Sequence, residues 1–174
     1  MLALTIPTLH TERLTLRSFR ADDLDAFAAM GANAEVMQFI ASGRTIERAA
    51  AWGQMAWFNG HWTLRGHGMW ALARRDDDRL IGRVGFIDPP DWPALELGWL
   101  LGREHWGQGY AREAVKASLD YAWRHLNTGS LLSLIRPANE RSIKLATALG
   151  AQRTGERDFM GGAIDEYTFH ADLT

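Results

Sequence analysis

The chain reads as one α/β domain built on a mixed sheet, and three observations lead there. Strand-like and helix-like segments alternate along almost all of its 174 residues. One segment, Ala94 to Leu101, is nearly all apolar, as in a strand buried on both faces. A segment with a face of small apolar residues follows it, as a helix lying close on a sheet requires. The length suits one domain with a substantial core, taken here as residues 1–174, and 47% hydrophobic against 23% charged residues is a globular balance, neither fibrous nor disordered.

The elements follow in order. Arg13 to Arg17 alternates polar residues with Leu14 and Leu16, the period of a strand. Asp22 and Asp23 stand at a helix start, followed by Leu24, Phe27, Ala28 and then Gly31. Thr45 to Arg48 opens a second helix with apolar Ala49, Ala50, Trp52, Met55 and Ala56. Met69 to Ala73 and Leu80 to Ile87 are strands joined by the charged turn Arg75 to Arg79, and Asp88-Pro89-Pro90 breaks the second. After Ala94 to Leu101, the spacing of Ala111, Ala114, Val115, Ser118 and Ala122 predicts a helix over Gly109 to Leu126. Leu131 to Ile135 is a short strand ended by Pro137. Asn139 to Leu149 is a helix with an Asn cap and Gly150 beyond its end. Gln152 to Phe159 and Ile164 to His170 are two last strands across Gly161-Gly162, giving the order βααβββαβαββ.

Several functions are set aside early. A formal charge of −2 argues against a nucleic-acid partner. With no cysteine there is no disulfide, no thiolate metal site and no cysteinyl thioester on a reaction path. Met1 to Thr11 has no basic n-region or long apolar run, and no stretch approaches the roughly 20 apolar residues of a membrane span. A soluble cytoplasmic protein with no membrane partner is the expectation.

The chemistry concentrates in Trp106-Gly107-Gln108-Gly109-Tyr110-Ala111, between the apolar strand and a helix N-terminus. The first N–H groups of a helix have no internal partner, and the dipole adds partial positive charge there. Glycines let the main chain approach a phosphate, so a pyrophosphate is the natural ligand, although such glycines also serve close packing alone. A dinucleotide fingerprint would need a third glycine where Arg112 stands; Arg136, ending the next strand, is the residue an NADP reader could use. Too little chain follows for the rest of such a domain. No Gly-Lys-Ser/Thr follows the glycines, so a P-loop is absent.

The run Glu96-Leu97-Gly98-Trp99-Leu100-Leu101, with Trp106 to Ala114 after it, resembles the acetyl-CoA motif of the GNAT N-acetyltransferases, in particular the RimJ/RimL-like branch. Asn139-x-x-Ser142 followed by Leu149-Gly150 is similar to that branch's second signature, and the likeness runs from about Thr8 to His170. The resemblance implies a mostly antiparallel sheet, flanked by helices and splayed between Ala94–Leu101 and Leu131–Ile135. Coenzyme A is expected in that cleft, its pantetheine against main chain of Trp99, Leu100 and Leu101. Its pyrophosphate would sit on Gln108, Gly109, Tyr110 and Ala111, with Trp106 and Gly107 opening the loop. Many members carry a tyrosine where this chain has Ala146.

Acetylating an amine requires its neutral form. Deprotonating a lysine near pH 7.4 costs about 4 kcal/mol, and an N-terminal amine below about 1 kcal/mol. Glu96 is the candidate base, the one ionisable residue of its strand, with a proton affinity that burial would raise. A salt-bridged residue, or one that binds the amine without taking its proton, is the competing reading. In place of the tyrosine, Ser142 is the candidate hydrogen-bond donor to the departing sulfur, beside the plainer role of a polar residue in a first helical turn. Asn139 is expected to bond the pantetheine amide, to cap its helix, or both. With no cysteine and no Gly-x-Ser-x-Gly elbow, direct transfer from acetyl-CoA to an amine acceptor in a ternary complex is expected. A module that holds acyl-CoA without turnover is the alternative.

Trp52, Trp57, Trp62 and Trp70 fit core packing, a homodimer surface or an aromatic acceptor pocket. His61 and His67 match no known metal-ligand spacing, so no metal is expected. Asp76 to Asp78 reads as a solvated hairpin turn.

Overall fold

The computed structural model describes residues 5–171; Met1 to Leu4 of the N-terminal segment read above lie outside them. Eight strands form one sheet in the order β1-β2-β3-β4-β5-β6-β8-β7. They are β1 (Leu9–His10), β2 (Leu14–Arg17), β3 (Met69–Arg74), β4 (Leu80–Ile87), β5 (Glu96–Leu101), β6 (Ser130–Ile135), β7 (Gln152–Asp158) and β8 (Ala163–His170). Every pairing is antiparallel except β5 with β6. The helices are α1 (Leu24–Ala32), α2 (Ala34–Met37), α3 (Arg48–Arg65), α4 (Tyr110–His125) and α5 (Glu140–Ala148).

The sheet divides two cores. One face carries Leu16, Trp70, Val84 and Leu97, with α4 and α5 over it, and Val115 of α4 and Trp62 near the end of α3 join this core. The other carries Phe27, Met37, Met55, Phe58, Met69 and Leu100, under α1 to α3. The two-residue β1 and four-residue α2 are too short for any periodicity to announce. α2 exists because Asn33 Oδ1 accepts from the N–H groups of Glu35 and Val36, at 2.9 and 3.2 Å.

Of the roles open to the four tryptophans, core packing holds for two, and the reading of the acidic turn needs correction. Trp62 and Trp70 are core residues, their indole N–H groups donating to the carbonyls of Met69 (3.0 Å) and Pro7 (2.8 Å), while Trp52 and Trp57 are exposed. None of the four lines the cavities described below. The acidic turn is not simply solvated either. Asp78 joins Arg17 at 3.0 Å, and Arg17 is itself buried in a bidentate pair with Asp23 at 2.8 and 2.9 Å.

β5 also differs from a strand buried on both faces. Glu96, Gly98 and Trp99 are half-buried, because the sheet opens beside them. β5 and β6 share only the register pair Glu96↔Leu132.

Candidate functional site

Two cavities occupy the opening between β5 and β6. The larger, about 350 Å³, runs from Trp99, Leu100 and Leu101 past Trp106 to the start of α4 and along α5. The smaller, about 160 Å³, lies over Glu96, Gly98, Arg83 and Met69, beneath Phe159 and Met160. They meet at Phe39, Ile40, Trp99, Asn139 and Ser142, which line both.

The larger cavity has the features of an anion site at its α4 end. Gly107 and Gly109 have φ of 73° and 81°, left-handed values that a side chain would strain. Gly109 caps α4 without any side-chain hydrogen bond, so the first N–H groups of that helix remain free for a ligand. Arg13 fixes the loop from behind. It donates to the Gln108 carbonyl at 2.9 Å, pairs with Glu113 at 2.7 Å and lies 4.6 Å from the centre of the Tyr110 ring. Gln108 does not line the cavity; its side-chain amide donates to the Glu104 carbonyl at 2.8 Å. Gly107, Gly109, Tyr110 and Ala111 do line it.

Trp106 ties this loop to the sheet. Its indole N–H donates to the Leu101 carbonyl at 3.0 Å. Over its ring lie the guanidinium groups of Arg141 at 3.4 Å and Arg103 at 4.8 Å.

Asn139 caps α5 by accepting from the Ser142 N–H at 3.3 Å. The Ser142 hydroxyl has no protein partner among the described residues and stands where the cavities join. Ala146 is fully buried in the core and lines neither cavity. The one α5 hydroxyl that lines the cavities is therefore that of half-buried Ser142, since exposed Thr147 lines neither.

Glu96 enters the smaller cavity and accepts from the Trp92 indole N–H at 2.6 Å. Removal from water pushes its carboxyl up to about 7, against the opposing pull of Trp92, Arg83 and the Leu134 backbone. A carboxyl at that value exchanges its proton near neutrality, as a general base must.

A profile of the acetyltransferase (GNAT) domain matches residues 13–152. The chain belongs to the GNAT acetyltransferase family. An uncharacterised N-acetyltransferase of Bacillus licheniformis, p20, is 34% identical over 169 residues, covering 93% of this chain and 94% of that one. The crystal structure of an acetyltransferase from Agrobacterium tumefaciens superposes with a TM-score of 0.85 at 32% identity, over 98% of both chains. RimL, a ribosomal alpha-N-protein acetyltransferase solved with coenzyme A, shares the fold at 15% identity and TM-score 0.79, over 97% of this chain and all of that one.

Within this GNAT chain, several cavity residues went unmarked in the sequence. Arg83, in the middle of an otherwise apolar strand, carried the same signal as Glu96: a lone charge where the pattern calls for an apolar residue. Phe39, Ile40 and Trp92 lie in connecting segments, where no period applies. Arg136 is not a nucleotide reader. Its guanidinium donates to the carbonyls of Ala41 and Met160 at 2.9 Å each and Ala163 at 3.4 Å, tying two segments together at the rim of the smaller cavity.

The sequence spacing of His61 and His67 also concealed a cluster. Ligand atoms of His61, His67 and Asp88 lie within 4.8 Å of one another. Both ring nitrogens of His61 are engaged: Nδ1 donates to the His67 carbonyl at 2.8 Å, and Nε2 accepts from the Asp88 N–H at 3.3 Å. Burial holds the His61 pKa below its ordinary value. Among the described residues no helix is long and apolar enough to cross a membrane.

Proposed function

We propose that the protein is an acetyl-CoA-dependent N-acetyltransferase that moves the acetyl group directly to a primary amine, with both substrates bound together. The observation that carries this reading is the meeting of two cavities at Trp99, Asn139 and Ser142. Free helix N–H groups lie at the far end of one and Glu96 in the other. The larger cavity fits an acyl-CoA by three features of the chain itself. Positive-φ glycines shape the loop that leads into α4, the α4 N-terminus is uncapped, and the β6-facing edge of β5 is unpaired beyond Leu97. RimL, with the same fold, is a precedent for both coenzyme A and an α-amino acceptor.

Bound there, the acetyl thioester supplies the electrophile. Glu96, as carboxylate, takes a proton from the amine, whose nitrogen forms the new bond to the acetyl carbon as the carbon–sulfur bond breaks. The Ser142 hydroxyl donates a hydrogen bond to the sulfur that leaves; a serine hydroxyl is too weak an acid to surrender its proton outright. With no cysteine in the chain, no cysteinyl thioester intervenes.

A thermal-shift panel with acetyl-CoA, coenzyme A, NADPH and ATP tests the donor site. At 100 times its dissociation constant a ligand adds about 2.7 kcal/mol, roughly 5–11 °C for a chain of this size. Stabilisation by acetyl-CoA and coenzyme A alone, followed by turnover of an amine, supports the reading. A shift with NADPH only, or a covalent acetyl-enzyme on the kinetic path, would overturn it. Failure to acetylate any amine leaves a module that only holds the donor.

A further inference from the structure

Arg83 has the surroundings of a cation whose counter-ion comes from outside the protein. It lies on β4 opposite Leu100, on the sheet face that carries Glu96 opposite Ile87; between those two rungs are Gly85 and Gly98, which add no side chain. Among the described residues Arg83 forms no ion pair, and its buried Nε has no hydrogen-bond partner. Nη1 touches only the Met69 sulfur, at 3.6 Å, and the guanidinium lies 5.3 Å from the centre of the Phe58 ring. Burial lowers its pKa to about 10, which still leaves it charged at neutral pH. Holding a cation among Met69, Phe58 and glycine, with its nearest carboxylate, Glu96, beyond ion-pair distance, costs stability unless something else is gained.

The gain is legible in the spacing. A Cβ placed on Gly98 would be 3.9 Å from both Arg83 Nη1 and Glu96 Oε1. The two charged groups are therefore no more than about twice that distance apart, yet beyond the 4.0 Å of an ion pair. A carboxylate and an amine on the same carbon fill such a gap with a hydrogen bond of about 2.8 Å at each end. The cavity is small, about 160 Å³, and Arg136 ties its rim between Ala41 and Met160.

We propose that the acceptor is a small α-amino acid, whose carboxylate pairs with Arg83 while its amine faces Glu96. This rests on the acetyl-transfer reading above and narrows its acceptor. Apolar lining by Ile87, Phe159, Met160 and Ile164 favours an amino acid with an apolar side chain.

The test is a kinetic panel of apolar L-amino acids, each paired with its own carboxamide, with acetyl-CoA as donor. The carboxamide has the less basic amine, so intrinsic reactivity runs against the prediction. The wild-type protein is expected to favour the free acid about tenfold or more in kcat/KM. Arg83→Met should cut the acid-to-amide ratio about 10- to 100-fold, mainly through KM, and Arg83→Lys should keep part of the preference. Thermal melting without acceptor gives an independent readout. Arg83→Met should melt no lower than wild type, because it removes an unpaired buried charge, whereas a purely structural arginine would lower the melting point. Equal use of acids and amides, equal losses on both in Arg83→Met, or a lower melting point would each overturn the inference and leave acetyl transfer standing. Amines that all remain unacetylated would overturn the acetyl-transfer reading, and this inference with it.

Discussion

The Ser133 hydroxyl donates to the Leu97 carbonyl at 2.6 Å, a side chain bridging two parallel strands where a backbone amide would otherwise reach. Both groups are buried, and the backbone register between β5 and β6 extends no further than Glu96↔Leu132. The opening of the sheet, and with it both cavities, begins at this bond. Ser133→Ala should leave the Leu97 carbonyl buried and unpaired, at a cost of about 1–3 kcal/mol. Thermal melting reads this as a fall of roughly 2–12 °C. An unchanged melting point would mean that another group satisfies that carbonyl.

Glu96 gives two linked pH signatures. Its base form is the carboxylate, so kcat/KM should rise with pH through a value near 7, and Glu96→Gln should lose that limb with a rate about 10²–10⁴ lower. For stability, the folded-state value of about 7 stands above the ordinary 4.5. The contribution of Glu96 is therefore complete below pH 4.5 and is lost as pH rises through 7. Glu96→Gln should gain on the wild type by up to about 3 kcal/mol between pH 5 and pH 8, measured by denaturant unfolding. A variant with full activity at every pH would remove the base assignment.

Ser142→Ala tests the hydrogen bond to sulfur. Its Oγ has no protein partner to lose, so melting should change by under about 0.5 kcal/mol while kcat falls about tenfold or more. An acetyl-CoA KM that rises with kcat intact would instead mark Ser142 as a residue that only binds the donor.

Asp23→Ala should be the most destabilising of these changes, at a residue that lines neither cavity. Asp23 holds Arg17 in two bonds and also accepts from the Arg20 N–H at 2.8 Å, at the start of the turn that leads into α1. Arg17 keeps Asp78, so the loss is about 3 kcal/mol, at the lower end for breaking a buried ion pair. Denaturant midpoints measure it; a loss below about 1 kcal/mol would show that Asp78 suffices alone.

Much of this molecule could be read from its residues because the relevant signals are local. The glycines of residues 107 and 109 occupy the positive-φ positions that their loop needs, and the small residues of α4 fix its buried face. Glu96 stood out for being charged among apolar neighbours. What stayed hidden depends on register and on chain crossings. Arg83 carries the same signal as Glu96, but only the pairing of β4 with β5 shows that the two share a face across a pair of glycines. Phe39 and Ile40 come to both cavities from a segment more than fifty residues before β5, and Arg136 finds its three carbonyls through folding alone. The first turn of α5 agrees in outline: Asn139 caps it, one of the two roles its residue type allows, and it lines both cavities as well.

Five residues serve as wall to both chambers, and this has a consequence for binding. A donor resting against Phe39, Ile40, Trp99, Asn139 and Ser142 finishes the lining that an acceptor would meet, so each molecule alters the welcome given to the other. Thermodynamic reciprocity makes that effect equal in both directions. The partition between the two chambers therefore couples their occupants without choosing which of them enters first.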